Sequence, residues 1–190
     1  MFAAVSIIVG SAARDDVVVK PTVVPGAVDW GGYMLRDRAD DNIYVLQGNT
    51  ATGFYRYSIS GNTWTTLTVV PSAVISGAVA LRNSAEDYIY VLPSNSTAYF
   101  YRYSISGNTW TTLTAVPSSG YGGRALRNGA DNDIYLLQMN TSNFYRYSIS
   151  GNTWTTLTVK PGAMAEWGSQ MLRNGSDPEF YVLEGNNTNN

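Results

Sequence analysis

Hydrophobic and polar residues alternate in short segments along the chain, which is the pattern of half-buried β-strands. The segments are rich in aromatic and β-branched residues, as in Tyr88–Leu92 and in 99–105, and these residue types favour strands. Glycine, asparagine and serine separate the segments, and 106–108 has the composition of a hairpin turn. No stretch of useful length has the period of an amphipathic helix. The pattern therefore predicts an all-β protein.

One sequence, FYRYSISGNTWTTLT, occurs three times without a change, and looser markers extend the repeat to four units. A proline and a tyrosine recur every 44 to 46 residues: Pro25, Pro71, Pro117 and Pro161, and Tyr44, Tyr90, Tyr135 and Tyr181. Each unit contains four strand-like segments. A fixed period of this length is typical of proteins that stack identical supersecondary units around a continuous core. We therefore expect a single repeat domain over 1–190.

The two ends of the chain complement each other. The fourth unit stops after its second strand, whereas the first residues match strands three and four of a unit when they are shifted by 46 positions. The apolar start of the chain lacks the basic residues of a signal peptide, so we expect a strand there. Joining the two halves in one sheet would pair their exposed backbone groups. We expect whole blades at about 25–70, 71–116 and 117–160, and a composite fourth made of 161–185 and 1–24.

Tyrosine is followed seven residues later by tryptophan in three units, as in Tyr57 with Trp64, and Asn-Thr-Trp and Ile-Tyr-Val-Leu segments recur. In these motifs the sequence resembles the kelch repeat family, and the resemblance covers nearly the whole chain. It implies a β-propeller, here of four four-stranded blades with a composite fourth blade. That blade either closes within one chain or forms between neighbouring subunits, for example in an eight-bladed ring of two chains.

The composition limits the function. Hydrophobic residues make up 44%, charged residues only 14%, and the net charge is −2, so nothing favours binding of nucleic acid. A polar surface with few charges is typical of secreted proteins, adhesins and virion parts, and no apolar run is long enough to cross a membrane. The chain has no cysteine and no histidine, and histidine is the commonest general base and transition-metal ligand. We expect no catalytic residue, no metal and no cofactor.

Two sets of repeated residues have predicted positions. The first set shares the tyrosine–tryptophan spacing and is expected to pack between blades as core: Tyr57, Trp64, Tyr103, Trp110, Tyr147 and Trp154. The second set ends the first strand of each unit and is a candidate cationic ring at the mouth of the central channel: Arg36, Arg82, Arg127 and Arg173. The alternative for the arginines is an outward position beside Asp40, Asp87 or Asp131.

A third register lies in the loop before the first strand of each unit, and it is the candidate ligand-binding site. Its four residues are Trp30, Ser76, Tyr121 and Trp167, and Asp29 and Glu166 precede the two tryptophans. An exposed aromatic ring beside a carboxylate can stack on a sugar and accept hydrogen bonds from its hydroxyl groups. The alternative is that these rings cap the contacts between blades.

The leading functional expectation is a non-enzymatic structural or assembly module of an extracellular, cell-surface or bacteriophage particle. Its partners would be other proteins or copies of itself, without nucleic acid or membrane insertion. A carbohydrate-binding, lectin-like propeller is the first alternative, with glycans as ligands. A glycosidase-type enzyme is the second, although the sequence places no two carboxylates for acid–base catalysis.

Overall fold

The computed structural model describes residues 6–7, 22–36, 41–83, 86–94, 97–119, 122–127, 131–158, 169–173 and 179–183. These residues form β-strands and no helix, which confirms the prediction of an all-β protein. No helix in these ranges is long and apolar enough to cross a membrane.

Three sheets have four antiparallel strands each, in the order of the sequence. Sheet I contains β3 (Tyr33–Arg36), β4 (Asn42–Leu46), β5 (Phe54–Ser58) and β6 (Thr63–Thr66). Sheet II contains β7 (Val79–Leu81), β8 (Tyr88–Leu92), β9 (Tyr101–Ser104) and β10 (Thr109–Thr112). Sheet III contains β11 (Gly123–Arg127), β12 (Ile134–Gln138), β13 (Phe144–Ser148) and β14 (Thr153–Thr156).

Two further pairs of strands lie near the ends of the chain. The N-terminal pair is β1 (Ser6–Ile7) with β2 (Thr22–Val23), and the C-terminal pair is β15 (Gln170–Leu172) with β16 (Tyr181–Leu183). In the N-terminal pair, Ser6 is opposite Val23. When both positions are moved along the sequence by 46 residues, the resulting pair continues the β5–β6 ladder of sheet I, in which Tyr55 is opposite Thr66. The N-terminal pair thus has the register of the two outer strands of a unit. The two pairs are separate sheets, so the composite blade and the blade boundaries stay predictions.

The sheets lie beside one another through their first strands: β3 contacts β7, β7 contacts β11, and β11 contacts β15. The core therefore sits between neighbouring sheets. Between sheets I and II, Tyr44, Leu46 and Phe54 pack against Ala80 and Ile89. A second cluster of the same kind joins sheets II and III. Each internal sheet therefore packs one face on the sheet before it and the other face on the sheet after it, as in repeat proteins.

The hairpin turns between the third and fourth strands end in an asparagine at positive φ: 50° at Asn62, 49° at Asn108 and 50° at Asn152. Asparagine tolerates this left-handed conformation better than other residues that have a side chain. The turn holds the amides of Asn108 and Asn152 beside the preceding sheet, where their oxygens accept hydrogen bonds from Thr68 and Thr114.

Candidate functional site

The repeated aromatic residues pack as pairs within a sheet and as triads between sheets. Tyr103 is 1% exposed, and its ring centroid lies 4.9 Å from that of Trp110, its cross-strand partner. Phe54 of sheet I packs edge-on against Tyr103 at 4.9 Å and against Trp110 at 5.3 Å. Phe100, Tyr147 and Trp154 repeat this triad between sheets II and III. Tyr57 and Trp64 pair in the same way at 5.1 Å.

A set of hydrogen bonds joins sheets I and II beside the aromatic triad, and we call it the Thr68–Asn108 latch. The Thr68 N–H donates to Asn108 Oδ1 at 2.9 Å, and the Thr68 hydroxyl donates to the Asn108 carbonyl at 2.7 Å. The Trp110 Nε1–H donates back to the Thr68 carbonyl at 2.9 Å, and the Tyr103 hydroxyl donates to Asn108 Oδ1 at 2.7 Å. Burial raises the pKa of Tyr103 to about 12, so its hydroxyl stays protonated as the donor.

The latch recurs between sheets II and III, where Thr114 and Asn152 replace Thr68 and Asn108. On the outer side of sheet I, Trp64 Nε1 is buried and has no hydrogen-bond partner among the described residues. The position that corresponds to Thr68 one repeat earlier is Thr22 in β2. The described latch contacts therefore join sheets I and II and sheets II and III.

Three of the four arginines of the candidate ring lie over tyrosine rings of the preceding sheet. The Cζ atom lies 5.8 Å from the Tyr44 centroid for Arg82, 5.1 Å from the Tyr90 centroid for Arg127, and 5.3 Å from the Tyr135 centroid for Arg173. Each arginine thus connects two sheets through a cation–π contact. Alternation along a strand explains the position, because Arg127 and Ala125 share the face of β11 that packs on sheet II.

These arginines also have polar partners. Arg82 donates to the Glu86 carbonyl at 3.3 Å from Nε and at 3.2 Å from a terminal nitrogen. The Arg127 side chain is 3% exposed and forms an ion pair with the Glu86 carboxylate. Arg173 pairs with Asp131 at 3.4 Å, one of the carboxylates that the outward alternative named.

The series of arginine–tyrosine contacts has two open ends. Arg36 is exposed on β3 together with Met34, which is 63% exposed, and these two residues form the N-terminal face. Leu172, Tyr181 and Leu183 are 52–63% exposed on one side of the C-terminal pair, and they form the C-terminal face. The residues of internal sheets that correspond to Tyr181 and Leu183 are at most 7% exposed: Tyr44, Tyr90 and Tyr135, and Leu46, Leu92 and Leu137. Each end therefore carries half of a contact that is complete inside the chain.

A cavity of about 350 Å³ lies between the first strands of the units. Four of its lining residues occupy one register, three positions before the arginine series: Tyr33, Val79, Arg124 and Gln170. Ala125, Leu126 and Met171 complete the described lining. The sequence analysis did not single out this register, and the signal that could have identified it is variation. The arginine is kept in all four units, whereas this register holds four different residues.

Two polar side chains of the cavity, Arg124 and Tyr33, have identified interactions. The Arg124 Nε–H donates to the Ser169 carbonyl at 2.7 Å, which fixes the guanidinium group. Burial raises the pKa of the Tyr33 hydroxyl, and the positive charge of Arg124 opposes that rise. The guanidinium and the phenol are therefore close enough to interact electrostatically.

Of the four positions in the predicted ligand register, the structure describes Trp30 and Ser76, and only Trp30 is aromatic. That side chain is 73% exposed. Asp29 beside it accepts hydrogen bonds from the Trp30 N–H at 2.8 Å and from Asn49 Nδ2 at 3.0 Å. The carboxylate is thus held next to the exposed ring. Tyr121, Glu166 and Trp167 lie outside the described residues, as does Asp40.

Several carboxylates take part in structural hydrogen bonds. Asp87 accepts bonds from the Ser104 and Ser106 side chains and from the Ser106 N–H, and these bonds lower its pKa. Asp41 has the same arrangement with Ser58 and Ser60. Burial raises the pKa of Asp133, although an ion pair with Arg146 at 3.5 Å opposes the rise. Among the described residues, no group of three or more acidic side chains is arranged to hold a metal ion.

No protein-family model matches the chain, and no curated protein matches it. Among solved structures, the chain is similar to YjhT, with 15% identity and a TM-score of 0.64 over 80% of this chain and 56% of that chain. It is also similar to an auxiliary nutrient binding protein from Bacteroides thetaiotaomicron VPI-5482, with 15% identity and a TM-score of 0.60 over 82% of this chain and 36% of that chain. The chain thus spans less than two thirds of either neighbour, and the likeness shows a shared fold alone.

Proposed function

We propose that the chain is a non-enzymatic structural and assembly module, a kelch-like β-propeller of four four-stranded blades. The fourth blade combines the C-terminal pair of strands with the N-terminal pair. The module belongs to an extracellular, cell-surface or bacteriophage particle, and its partners are copies of itself. One observation carries the proposal: the C-terminal and N-terminal faces are exposed halves of a contact that the chain makes repeatedly within itself.

The position of the N-terminal pair supports the composite blade. Val24, which directly follows β2, is 5% exposed and packs against Ile43, Val45 and Tyr57 of sheet I. Val70 after β6 packs on sheet II in the corresponding way. The N-terminal pair therefore takes the place of the outer strands in a blade before sheet I, while the C-terminal pair takes the place of the inner strands in a blade after sheet III.

The chemistry of the two open faces supports assembly through copies. Among the described residues, Arg36 lies over no tyrosine ring, and no arginine lies over the Tyr181 ring, unlike the pairs at the internal junctions. Placing the two faces together would restore the cation–π contact and bury Leu183 as Leu46 is buried in sheet I. Burial of each large apolar side chain contributes about 1.5–3 kcal/mol before entropy losses. A contact between two unlike faces is head-to-tail, and it closes into a ring where the rotation allows.

The test is the native mass of the purified protein beside that of two variants. We expect the wild type to have a multiple of the 20.7 kDa chain mass. Leu183→Glu places a charge in the proposed contact and should shift the mass to one chain. Val69→Glu is the matched control, since Val69 is 52% exposed but lies on neither terminal face. A wild-type monomer at high concentration, or equal dissociation by both variants, would contradict assembly through these faces.

Carbohydrate binding is a second candidate function, and the exposed Trp30 ring beside the fixed Asp29 carboxylate favours it. The ring offers an apolar face for a sugar, and the carboxylate oxygens can accept further hydrogen bonds. A glycan array should give signals that Trp30→Ala abolishes and that Tyr99→Ala, a change at another exposed aromatic residue, leaves intact. Silence across a broad array, or signals that survive Trp30→Ala, would reject this candidate.

A further inference from the structure

The central cavity is the part of the molecule where the repeat is broken. At the ends of the first strands, leucine and arginine recur in all four units. In the cavity register, by contrast, Tyr33, Val79, Arg124 and Gln170 differ in size, polarity and charge. Packing between similar units calls for similar residues, so this variation indicates a role beyond the scaffold. The volume, about 350 Å³, lies within the range of small-molecule sites, about 300–1,000 Å³.

Arg124 gives the cavity a single fixed positive charge. Its Nε–H is bound to the Ser169 carbonyl, and its terminal nitrogens have no other hydrogen-bond partner among the described residues. Among the described lining residues, Arg124 is the one charged side chain and none is a carboxylate. By contrast, Arg127 and Arg173 have ion pairs with carboxylates. The terminal nitrogens of a guanidinium group form a fork that fits a carboxylate through two parallel hydrogen bonds.

The other lining residues fit a ligand whose part outside the carboxylate group is uncharged. Tyr33 and Gln170 supply a hydroxyl and an amide, which can donate and accept hydrogen bonds. Val79, Leu126 and Met171 supply an apolar wall. One positive charge balances a monocarboxylate, whereas a phosphate group carries more negative charge than one arginine offsets. We propose that the central cavity binds a small organic monocarboxylate, with Arg124 on its carboxylate and Tyr33 and Gln170 on its polar substituents.

The experiment is calorimetric titration of the full chain with pairs of probes of the same skeleton, one a carboxylate and one its neutral amide: benzoate with benzamide, and lactate with lactamide. Inorganic phosphate is a third arm. We expect at least one carboxylate to bind more tightly than about 10 mM, while its amide and phosphate bind much more weakly. Arg124→Gln should weaken carboxylate binding by about 10-fold to 100-fold, since it removes a charge-assisted pair.

Arg146→Gln is the matched control, because Arg146 is an arginine on β13 outside the cavity and should leave carboxylate binding unchanged. Circular dichroism and the melting temperature would check that both variants fold. Equal binding of carboxylate and amide, preference for phosphate, undiminished binding by Arg124→Gln, or no binding by any carboxylate would overturn the proposal. The native mass is a separate readout, so the assembly proposal stands or falls independently.

Discussion

The guanidinium carbon of Arg127 lies 5.1 Å from the centre of the Tyr90 ring, one sheet earlier in the chain. The same relation joins Arg82 to Tyr44 and Arg173 to Tyr135. In each case the first strand of one sheet is connected to the second strand of its predecessor. This contact, the aromatic triad and the threonine latch together make the junction between sheets, and the stability of the protein depends on such junctions.

Removal of the carboxylate beside Arg127 should be costly. The Arg127 side chain is 3% exposed and pairs with Glu86, so Glu86→Ala leaves a buried guanidinium without its counter-charge. We expect a loss of about 3 kcal/mol in the free energy of unfolding, measured by urea denaturation. Asp133→Ala breaks a more exposed pair with Arg146 and should cost less than about 1 kcal/mol. Equal losses in the two variants would show that the buried pair has no special role in the junction.

The loss of stability caused by an asparagine-to-glycine change in a hairpin turn should depend on whether that asparagine takes part in a latch. Glycine keeps the positive φ of the turn but removes the side-chain oxygen. Asn108→Gly loses the bonds from Thr68 and Tyr103, whereas the described bond to the Asn62 side chain comes from Tyr57 alone. We expect Asn108→Gly to cost about 1 kcal/mol more than Asn62→Gly in thermal or urea unfolding. An equal or larger cost at Asn62 would contradict this and indicate that Asn62 takes part in a latch at least as strong.

Part of this architecture could be predicted from the sequence, because identical residues at a fixed register must have identical surroundings. Tyr103 and Trp110 pack between sheets as that rule requires. The rule does not say which side of a strand faces the cavity, and a shift along the strand changes the answer. The sequence analysis therefore singled out Arg127 and did not identify Arg124, which lines the cavity. A search for repeated residues finds those that hold neighbouring sheets together and misses the varying register of the cavity.

The free energy of unfolding should decrease in acid, and protonation of Asp87 should account for part of that decrease. Hydrogen bonds from Ser104 and Ser106 lower the pKa of Asp87 below its ordinary value of 3.8. Because the folded pKa is lowered, the stabilisation is fully present above that ordinary value and is lost as the pH falls through the folded pKa. Asp87→Asn should therefore lower the melting temperature at about pH 7, and the difference from wild type should shrink below about pH 4.

The contribution of Asp133 to stability should change with pH in the opposite direction. Burial raises its pKa, so its contribution is present below the ordinary value and is lost as the pH rises through the folded pKa. The difference between wild type and Asp133→Asn should therefore change with pH in the reverse direction from that of Asp87→Asn. Melting curves of both variants between about pH 2 and 7 give this comparison. Parallel trends in the two variants would contradict the assignment of the two carboxylates.

The central claim is that the C-terminal face of one chain meets the N-terminal face of another. The chain has no cysteine, so two introduced cysteines report on this contact without background. Met34 and Leu183 correspond to Met171 and Leu137, which are buried together at the last internal junction.

The measurement is oxidation of a mixture of the Met34→Cys and Leu183→Cys single variants, followed by denaturing electrophoresis without reductant. The account predicts a disulfide-linked band at twice the 20.7 kDa chain mass in the mixture, and much less of it with either variant alone. The double variant should also give linked chains. A mixture that stays at the single-chain mass, while the double variant forms its disulfide within one chain, would contradict the claim and show that the ring closes on itself.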